Sequence, residues 1–267
     1  MAIPLEAQLL LLFVIGAFVG FINILAGGGS LLSLPLLIFL GLPSATANGT
    51  NRIGILIQNI VAIAGFHQQN VLPWRISVLA AIPAVIGAIA GANLAIDLPD
   101  DRFKQVLALT MIGVLILILA DPSKRLRENP RPMAGGRLLL FIAGFFGVGV
   151  FGGFIQAGVG FLIILVMALT GFDLVATNAV KVLVVFIFTI AALAVFVINN
   201  HVDYLLGIGL GFGNALGGYI GTKFAVKKGH AWIRGFVIIT VIVFALYLLW
   251  GNYSAIVSLR CENYKKV

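Results

Sequence analysis

Long runs without a charged side chain dominate the sequence and constrain its fold more than any other feature. An α-helix rises about 1.5 Å per residue, so about 20 apolar residues cross the roughly 30 Å hydrocarbon layer of a membrane. Helices also satisfy their own backbone hydrogen bonds in lipid, and the alternation typical of a transmembrane barrel is absent. We therefore predict an all-α polytopic membrane protein. The uncharged runs span residues 7–51, 53–74, 76–96, 105–120, 138–172, 182–202, 204–222 and 235–259.

The net charge of +8 is concentrated in the short segments between these runs. Cytoplasmic loops of membrane proteins carry an excess of Lys and Arg, which explains the charge without a nucleic-acid partner. Residues 121–136, "DPSKRLRENPRPMAGG", are therefore expected to form a basic cytoplasmic linker between the two halves of the chain. We place the protein in the plasma (inner) membrane as a multi-pass protein, with the lipid bilayer as its surroundings.

The two halves resemble each other when the sequence is shifted by 130 residues without a gap. The loop at 93–104 is acidic, whereas its repeat partner at 223–234 is strongly basic. Equivalent loops would then lie on opposite membrane faces, which is the inverted-topology pattern of secondary transporters. We predict two inverted transmembrane repeats, residues 1–120 and 137–267, of about five hydrophobic segments each. Identical pairs include Phe21 and Phe151, Gly28 and Gly158, Gly41 and Gly171, Asn48 and Asn178, Asn70 and Asn200, Gly87 and Gly217, and Gly91 and Gly221.

Glycines interrupt the two runs that are too long for a single crossing. The stretches "NILAGGGSLLSLP" and "IQAGVGFLIILVMALTG" each predict a short or re-entrant helix, the first with Ser30 as its N-cap and the second beginning near Gly158. If both start near the midplane, their N–H groups and positive dipole ends converge on a site suited to an anion. In the fourth helix of each half, the spacings Gly87-x-x-x-Gly91 and Gly217-x-x-x-Gly221 predict close packing on a neighbour.

Two basic residues and several amides accompany these breaks. Arg52 and Lys181 lie one position apart in the repeat frame, and a charge in a membrane helix usually faces the bundle interior or an interface. The alternatives are that the glycines serve only close packing, the cations reach the interface, and the amides join helices. We expect a small oxyanion site formed by Gly27, Gly28, Gly29, Ser30, Asn48, Thr50, Asn51, Arg52, Gln156, Gly158, Asn178 and Lys181.

Features of an enzyme are missing from the sequence. All nine carboxylates and all three histidines fall at or near the ends of the predicted spans, so no proton relay of Asp or Glu is expected inside the membrane. The single cysteine, Cys261, excludes an intramolecular disulfide. No nucleotide motif and no paired nucleophile and base are present. We therefore expect no catalytic residue, no metal and no cofactor.

Two long segments, "GFINILAGGGSLLSLPLLIFLGLPSATANGTNR" and "GFDLVATNAVKVLVVF", resemble the paired signatures of the TauE/SafE family of sulfite and organosulfonate exporters. The resemblance covers nearly the whole chain. It implies a carrier for sulfur-containing anions, generally export-directed and built from two inverted halves. By position, the family motif corresponds to Gly27, Gly28, Gly29, Ser30, Asn48, Gly49, Thr50 and Asn51.

Our leading hypothesis is a secondary transporter that exports small sulfur-containing anions, such as sulfite or organosulfonates, by alternating access. One alternative is an uptake carrier for another small organic or inorganic anion, because direction depends on the gradient to which a carrier is coupled. Alternatives from other classes are a membrane-embedded enzyme and a structural or assembly subunit. The oligomeric state is open, with a homodimer as one option.

Overall fold

The computed structural model describes residues 4–120 and 134–227, and all regular secondary structure in these two ranges is helical. The expected last hydrophobic segment, residues 235–259, and most of the linker at 121–136 lie outside the described residues. The described helices are α1 (Leu5–Ala26), α2 (Ser30–Phe39), α3 (Ser44–Gln68), α4 (Trp74–Ile96), α5 (Asp100–Ala120), α6 (Gly136–Phe154), α7 (Val159–Thr170), α8 (Leu174–Ile198) and α9 (Tyr204–Lys227).

Five of the described helices, α1, α4, α5, α6 and α8, are long and apolar enough to cross a membrane. The prediction of an all-α, multi-pass membrane protein is thereby confirmed. Helices α3 and α9 are of similar length, at 25 and 24 residues, and α3 carries a series of polar side chains. Those side chains, among them Asn48, Asn51 and Arg52, are buried in the bundle, as expected for polar groups in a membrane.

The outer surface of the bundle is apolar, in contrast to that of a soluble protein. Large hydrophobic side chains such as Leu10, Ile82, Leu109, Leu139 and Phe212 are each more than half exposed. Lipid tails are as apolar as these side chains, so their exposure carries no hydrophobic penalty in a bilayer. The described helices therefore present a lipid-compatible exterior around a partly polar interior.

Close backbone packing holds the bundle together at glycines. Helix α1 packs most extensively on α9, and α4 packs most extensively on α6. A Cβ atom at Gly87 or Gly91 would collide with the backbone of α6, and one at Gly217 would collide with the backbone of α1, where Gly221 also packs. The predicted close packing of the fourth helix of each half is confirmed.

The backbone follows the same order of elements in both halves. Helices α3 and α8 begin 130 residues apart, and so do α4 and α9. The left-handed backbone positions show the same spacing, at Gly41 and Gly171 and at Asn70 and Asn200. The turns that end α2 and α3 therefore have conformational counterparts after α7 and α8.

Glycine backbones separate the first helix of each half from the short helix that follows. Gly27 ends α1 in a left-handed conformation with φ 78°. The expectation that Ser30 caps α2 is wrong, because Gly29 occupies the N-cap position and Ser30 is the first helical residue. Gly158, with φ 81°, is the N-cap of α7. Both conformations are accessible to glycine at little steric cost.

Carboxylates in the described residues lie at helix ends, as the sequence predicts. Asp173 is the N-cap of α8 and accepts a hydrogen bond from the Ala176 backbone N–H at 2.8 Å. Asp100 begins α5 and accepts one from the Ser44 backbone N–H, at the start of α3. Such contacts satisfy N–H groups that have no partner within the helix. Three carboxylates, Asp121, Glu128 and Glu262, lie outside the described residues.

Candidate substrate-binding site

The two glycine breaks meet inside the bundle. A Cβ atom built at Gly27 would lie 2.6 Å from the Cα atom of Gly160, and one built at Gly160 would likewise collide with Gly27. Only a residue without a side chain permits this approach of two backbones. The segments that lead into α2 and α7 are therefore in direct contact.

A small polar cavity lies beside this contact. Its lining comes from the end of α1, the starts of α2 and α7, and the middle of α3 and α8, together with Gln156 from the connection before α7. The free space has room for about one water molecule. The lining residues are Asn23, Ile24, Ser30, Ile55, Gln58, Asn59, Gln156, Val159, Gly160, Lys181, Val182 and Val185.

Lys181 is the charged residue of this lining. Its side chain is only 3% exposed, and its Nζ donates hydrogen bonds to the Ile24 carbonyl and to Asn178 Oδ1, both at 2.8 Å. Ile24 lies near the C-terminal end of α1, where a cation is electrostatically favoured. An ammonium group has three N–H donors, so two are used here and one remains for a ligand.

Three amide side chains of the lining are incompletely hydrogen-bonded. Within the described residues, Gln58 Nε2, Asn59 Nδ2 and Gln156 Oε1 are buried and have no partner. The other ends of two of these amides are bonded, since Gln58 Oε1 accepts from Asn23 at 3.2 Å and Gln156 Nε2 donates to Thr189 at 2.7 Å. Buried polar atoms are nearly always paired, so unpaired ones around a cavity indicate a place for water or a ligand.

Arg52 lies elsewhere, although the sequence groups it with Lys181. It is fully buried, and its guanidinium donates to the carbonyl oxygens of Gly152 and Gly153, near the end of α6. A longer contact of 3.5 Å joins it to Asn48 Oδ1, and the Phe196 ring lies 4.7 Å away. Arg52 does not line the cavity. Its hydrogen bonds instead connect α3 to the C-terminal end of α6.

The remaining predicted site residues divide between the cavity and the surrounding helix contacts. Ser30 and Gln156 line the cavity, and Asn178 Oδ1 accepts a hydrogen bond from Lys181. Asn48 donates to the carbonyl of Phe154 at 2.7 Å. Two others also join helices: Thr50 accepts from the backbone N–H just before α9, and Asn51 accepts from a serine of α2. Gly27, Gly28, Gly29 and Gly158 lie in the connections before α2 and α7.

Sequence reasoning missed Gln58, Asn59 and Asn23. A signal was available for two of them, because Gln58 and Asn59 follow Asn51 and Arg52 by seven residues. Seven residues are nearly two helical turns, so the two pairs share one side of α3. Polar side chains in the middle of an otherwise apolar helix indicate an inward-facing functional surface.

Comparison with known proteins gives consistent similarity over most of the chain. The family model described as "Sulfite exporter TauE/SafE" matches residues 12–248. The "Probable membrane transporter protein YfcA" of Escherichia coli K12 is 28% identical over 244 residues, which cover 91% of this chain and 90% of that protein. A "Probable membrane transporter protein" of Haemophilus influenzae is also 28% identical, over 86% of this chain and 90% of its own length. The "Probable membrane transporter protein YdhB" of Bacillus subtilis is 24% identical over 252 residues, which cover 91% of this chain and 99% of that protein.

Proposed function

We propose that this chain, which belongs to the TauE/SafE sulfite exporter family and is a multi-pass membrane transporter, exports small sulfur-containing anions such as sulfite and organosulfonates. The observation that carries the proposal is the placement of Lys181 in a buried polar cavity where α2 and α7 begin. All residues that line this cavity belong to the described part of the chain, and none is a carboxylate. The site therefore favours an anion over a cation.

The chemistry of the cavity fits a small oxyanion. The dipole of a helix is positive at its N-terminal end. Ser30 and Gly160 bring two helix starts to the cavity, so the helix dipoles supplement the ammonium of Lys181. The N–H groups of Leu31 and Phe161 are already bonded to the carbonyls of Gly28 and Gly158. Gln156 and Ser30 add side-chain polar groups that can orient the bound oxygens.

Alternating access would follow from two inverted halves that move relative to each other. Reciprocal contacts support this arrangement. Lys181 of the second half donates to Ile24 of α1, whereas Asn48 of the first half donates to Phe154 of α6, which is the repeat partner of Ile24. In each half, a side chain therefore donates a hydrogen bond to a carbonyl at the C-terminal end of the other half's first helix. The opposite charges of the loops at 93–104 and 223–234 support the inverted orientation.

We interpret the narrow cavity as the closed state of the proposed cycle. A space for about one water molecule is too small for the four heavy atoms of sulfite. Gly27 and Gly160 stand in backbone contact at this point, so separation of α2 from α7 would widen the cavity. Substrate would enter when the two halves move apart on one membrane face.

The test is flux of radiolabelled sulfite in proteoliposomes that contain the purified full-length protein. Lys181→Met removes the ammonium group, and loss of one charge-assisted hydrogen bond should weaken anion binding by about 10- to 150-fold. Lys223→Met is the matched control, because Lys223 is exposed and bonds to Tyr219 on the outer surface of α9. The protein should remain folded in both variants. Equal flux in Lys181→Met and the native protein would remove Lys181 from the site.

The same experiment separates the rival functions. Competition by dicarboxylates but not by sulfonates would favour a carrier for another anion, and inward flux under the physiological gradient would favour uptake. Conversion of the substrate without transmembrane movement would favour a membrane-embedded enzyme. Failure to bind any anion in a broad panel would favour a structural or assembly subunit. A homodimer stays a prediction, to be checked by the mass of the purified particle.

A further inference from the structure

We infer that the cavity selects singly charged oxyanions over doubly charged ones, with Gln58 and Asn59 as neutral donors to the bound oxygens. The inference rests on the proposed function and specifies the substrate class of the same site. Neither residue belongs to the motif on which the family resemblance is based.

The charge of the cavity lining favours a singly charged ligand. Lys181 is the single charged side chain among the lining residues, which all lie in the described part of the chain. The other nearby cation, Arg52, directs its guanidinium to the carbonyls of Gly152 and Gly153. A monoanion such as a sulfonate or hydrogensulfite beside Lys181 forms a neutral pair, whereas a dianion such as fully ionised sulfite or sulfate leaves one uncompensated negative charge. An uncompensated charge is expensive to hold in a buried site, so the dianion is disfavoured.

The number of free hydrogen-bond donors around the cavity matches the three oxygens of a sulfonate. A sulfonate group presents three oxygens, and Lys181 has one N–H left after its bonds to Ile24 and Asn178. Gln58 Nε2 and Asn59 Nδ2 are buried donors without a partner in residues 4–120 and 134–227. Pairing them with substrate oxygens would relieve the penalty of leaving them unsatisfied. Because both amides are neutral, they add hydrogen bonds without attracting a second negative charge.

Asn59 also has an informative counterpart in the other half. Its repeat partner is Thr189, 130 residues later, which accepts a hydrogen bond from Gln156 at 2.7 Å. The partner of Gln58 is Phe188, a buried aromatic residue with no polar atom in its side chain. Among the residues that line the cavity, the free amide donors therefore come from α3, so the anion would bind between Lys181 of α8 and the two amides of α3.

Methanesulfonate and sulfate provide the test, because they share a tetrahedral sulfur and differ in one negative charge. Flux of labelled methanesulfonate into proteoliposomes is measured with either unlabelled anion as competitor. Methanesulfonate should inhibit at a concentration about tenfold or more below that of sulfate. Gln58→Met and Asn59→Leu should each raise the half-saturating methanesulfonate concentration by about tenfold, as expected for loss of one hydrogen bond to a charged group.

Asn214→Leu is the matched control. Asn214 is a fully buried amide of α9, and neither of its side-chain polar atoms has a partner within the described residues, but it does not line the cavity. Its replacement should leave the half-saturating concentration unchanged. As a complementary variant, Gln58→Lys adds a second cation and should shift the preference toward sulfate. Elution profile and thermal unfolding report on the fold of every variant.

The outcomes separate the two proposals. Absence of labelled methanesulfonate flux together with absence of sulfite flux in the native protein would refute the proposed function itself. Flux in which sulfate competes as well as methanesulfonate would refute charge selection alone. Normal half-saturation in Gln58→Met and Asn59→Leu, as in Asn214→Leu, would remove the two amides from the site. If one amide variant fails to fold, the other variant and the competition in the native protein still decide the matter.

Discussion

Replacement of Arg52 by Met tests whether this residue serves the fold or the substrate. In the structure its guanidinium donates to two backbone carbonyls, those of Gly152 and Gly153, and packs over the ring of Phe196. Loss of the donor leaves each buried carbonyl unsatisfied, at about 1–3 kcal/mol apiece. Removal of a buried charge offsets part of this loss, since no carboxylate in the described residues pairs with Arg52. We expect a net destabilisation of about 2–4 kcal/mol.

Thermal unfolding of the purified protein in detergent measures this effect. For a chain of this size, each kcal/mol of lost stability lowers the unfolding midpoint by about 2–4 °C, so the midpoint of Arg52→Met should fall by roughly 5–15 °C. Arg52→Lys should have a smaller effect, because an ammonium can still donate to a carbonyl but lacks the planar fork of the guanidinium. Arg102→Met, which removes an exposed arginine near the start of α5, is the control and should leave the midpoint nearly unchanged.

Anion flux at a temperature well below the unfolding transition completes the test. If the role of Arg52 is only to bind the carbonyls at the end of α6, the Arg52→Met variant should have the same half-saturating sulfite concentration as the native protein. An unchanged unfolding midpoint together with an impaired half-saturation like that of Lys181→Met would refute this reasoning. Arg52 would then contact the anion, as the sequence analysis expected.

Two glycines give further predictions. Gly217→Ala places a Cβ against the backbone of Ala17 and should destabilise the protein by about 1–3 kcal/mol in a detergent unfolding assay. Gly147→Ala is the control, because a Cβ there meets open space, and it should be neutral or slightly stabilising. Equal midpoints for these two variants would argue against close packing of α9 on α1. Gly158→Ala forces an alanine into a left-handed backbone and places its Cβ 2.6 Å from a methyl carbon of Val114, so the unfolding midpoint and the anion flux of this variant should both decrease.

Helix limits were largely predictable because they depend on local chemistry. Residues that tolerate a left-handed backbone, such as Gly41, Asn70 and Gly171, stand at the ends of helices, and apolar runs of membrane-crossing length lie between them. Ser30 is an exception. It has the right chemistry for an N-cap, but the backbone of Gly29 before it is already helical, with φ −55° and ψ −41°, so Gly29 takes the N-cap position and Ser30 is the first residue of α2.

Composition and the spacing of residues along one helix are enough to predict the membrane class, the order of the described helices and the closely packed glycine helices. They also predict that Arg52 and Lys181 face the bundle interior or an interface. Which of the two cations lines the cavity depends on how the helices pack. Arg52 lies on the same side of α3 as Asn59 but seven residues, about 10 Å, away along the helix axis, so its guanidinium reaches the carbonyls at the end of α6. Lys181 of α8 lies beside Gln58 and Asn59 and lines the cavity. The depth of a side chain relative to a neighbouring helix is set by tertiary packing, not by spacing along one helix.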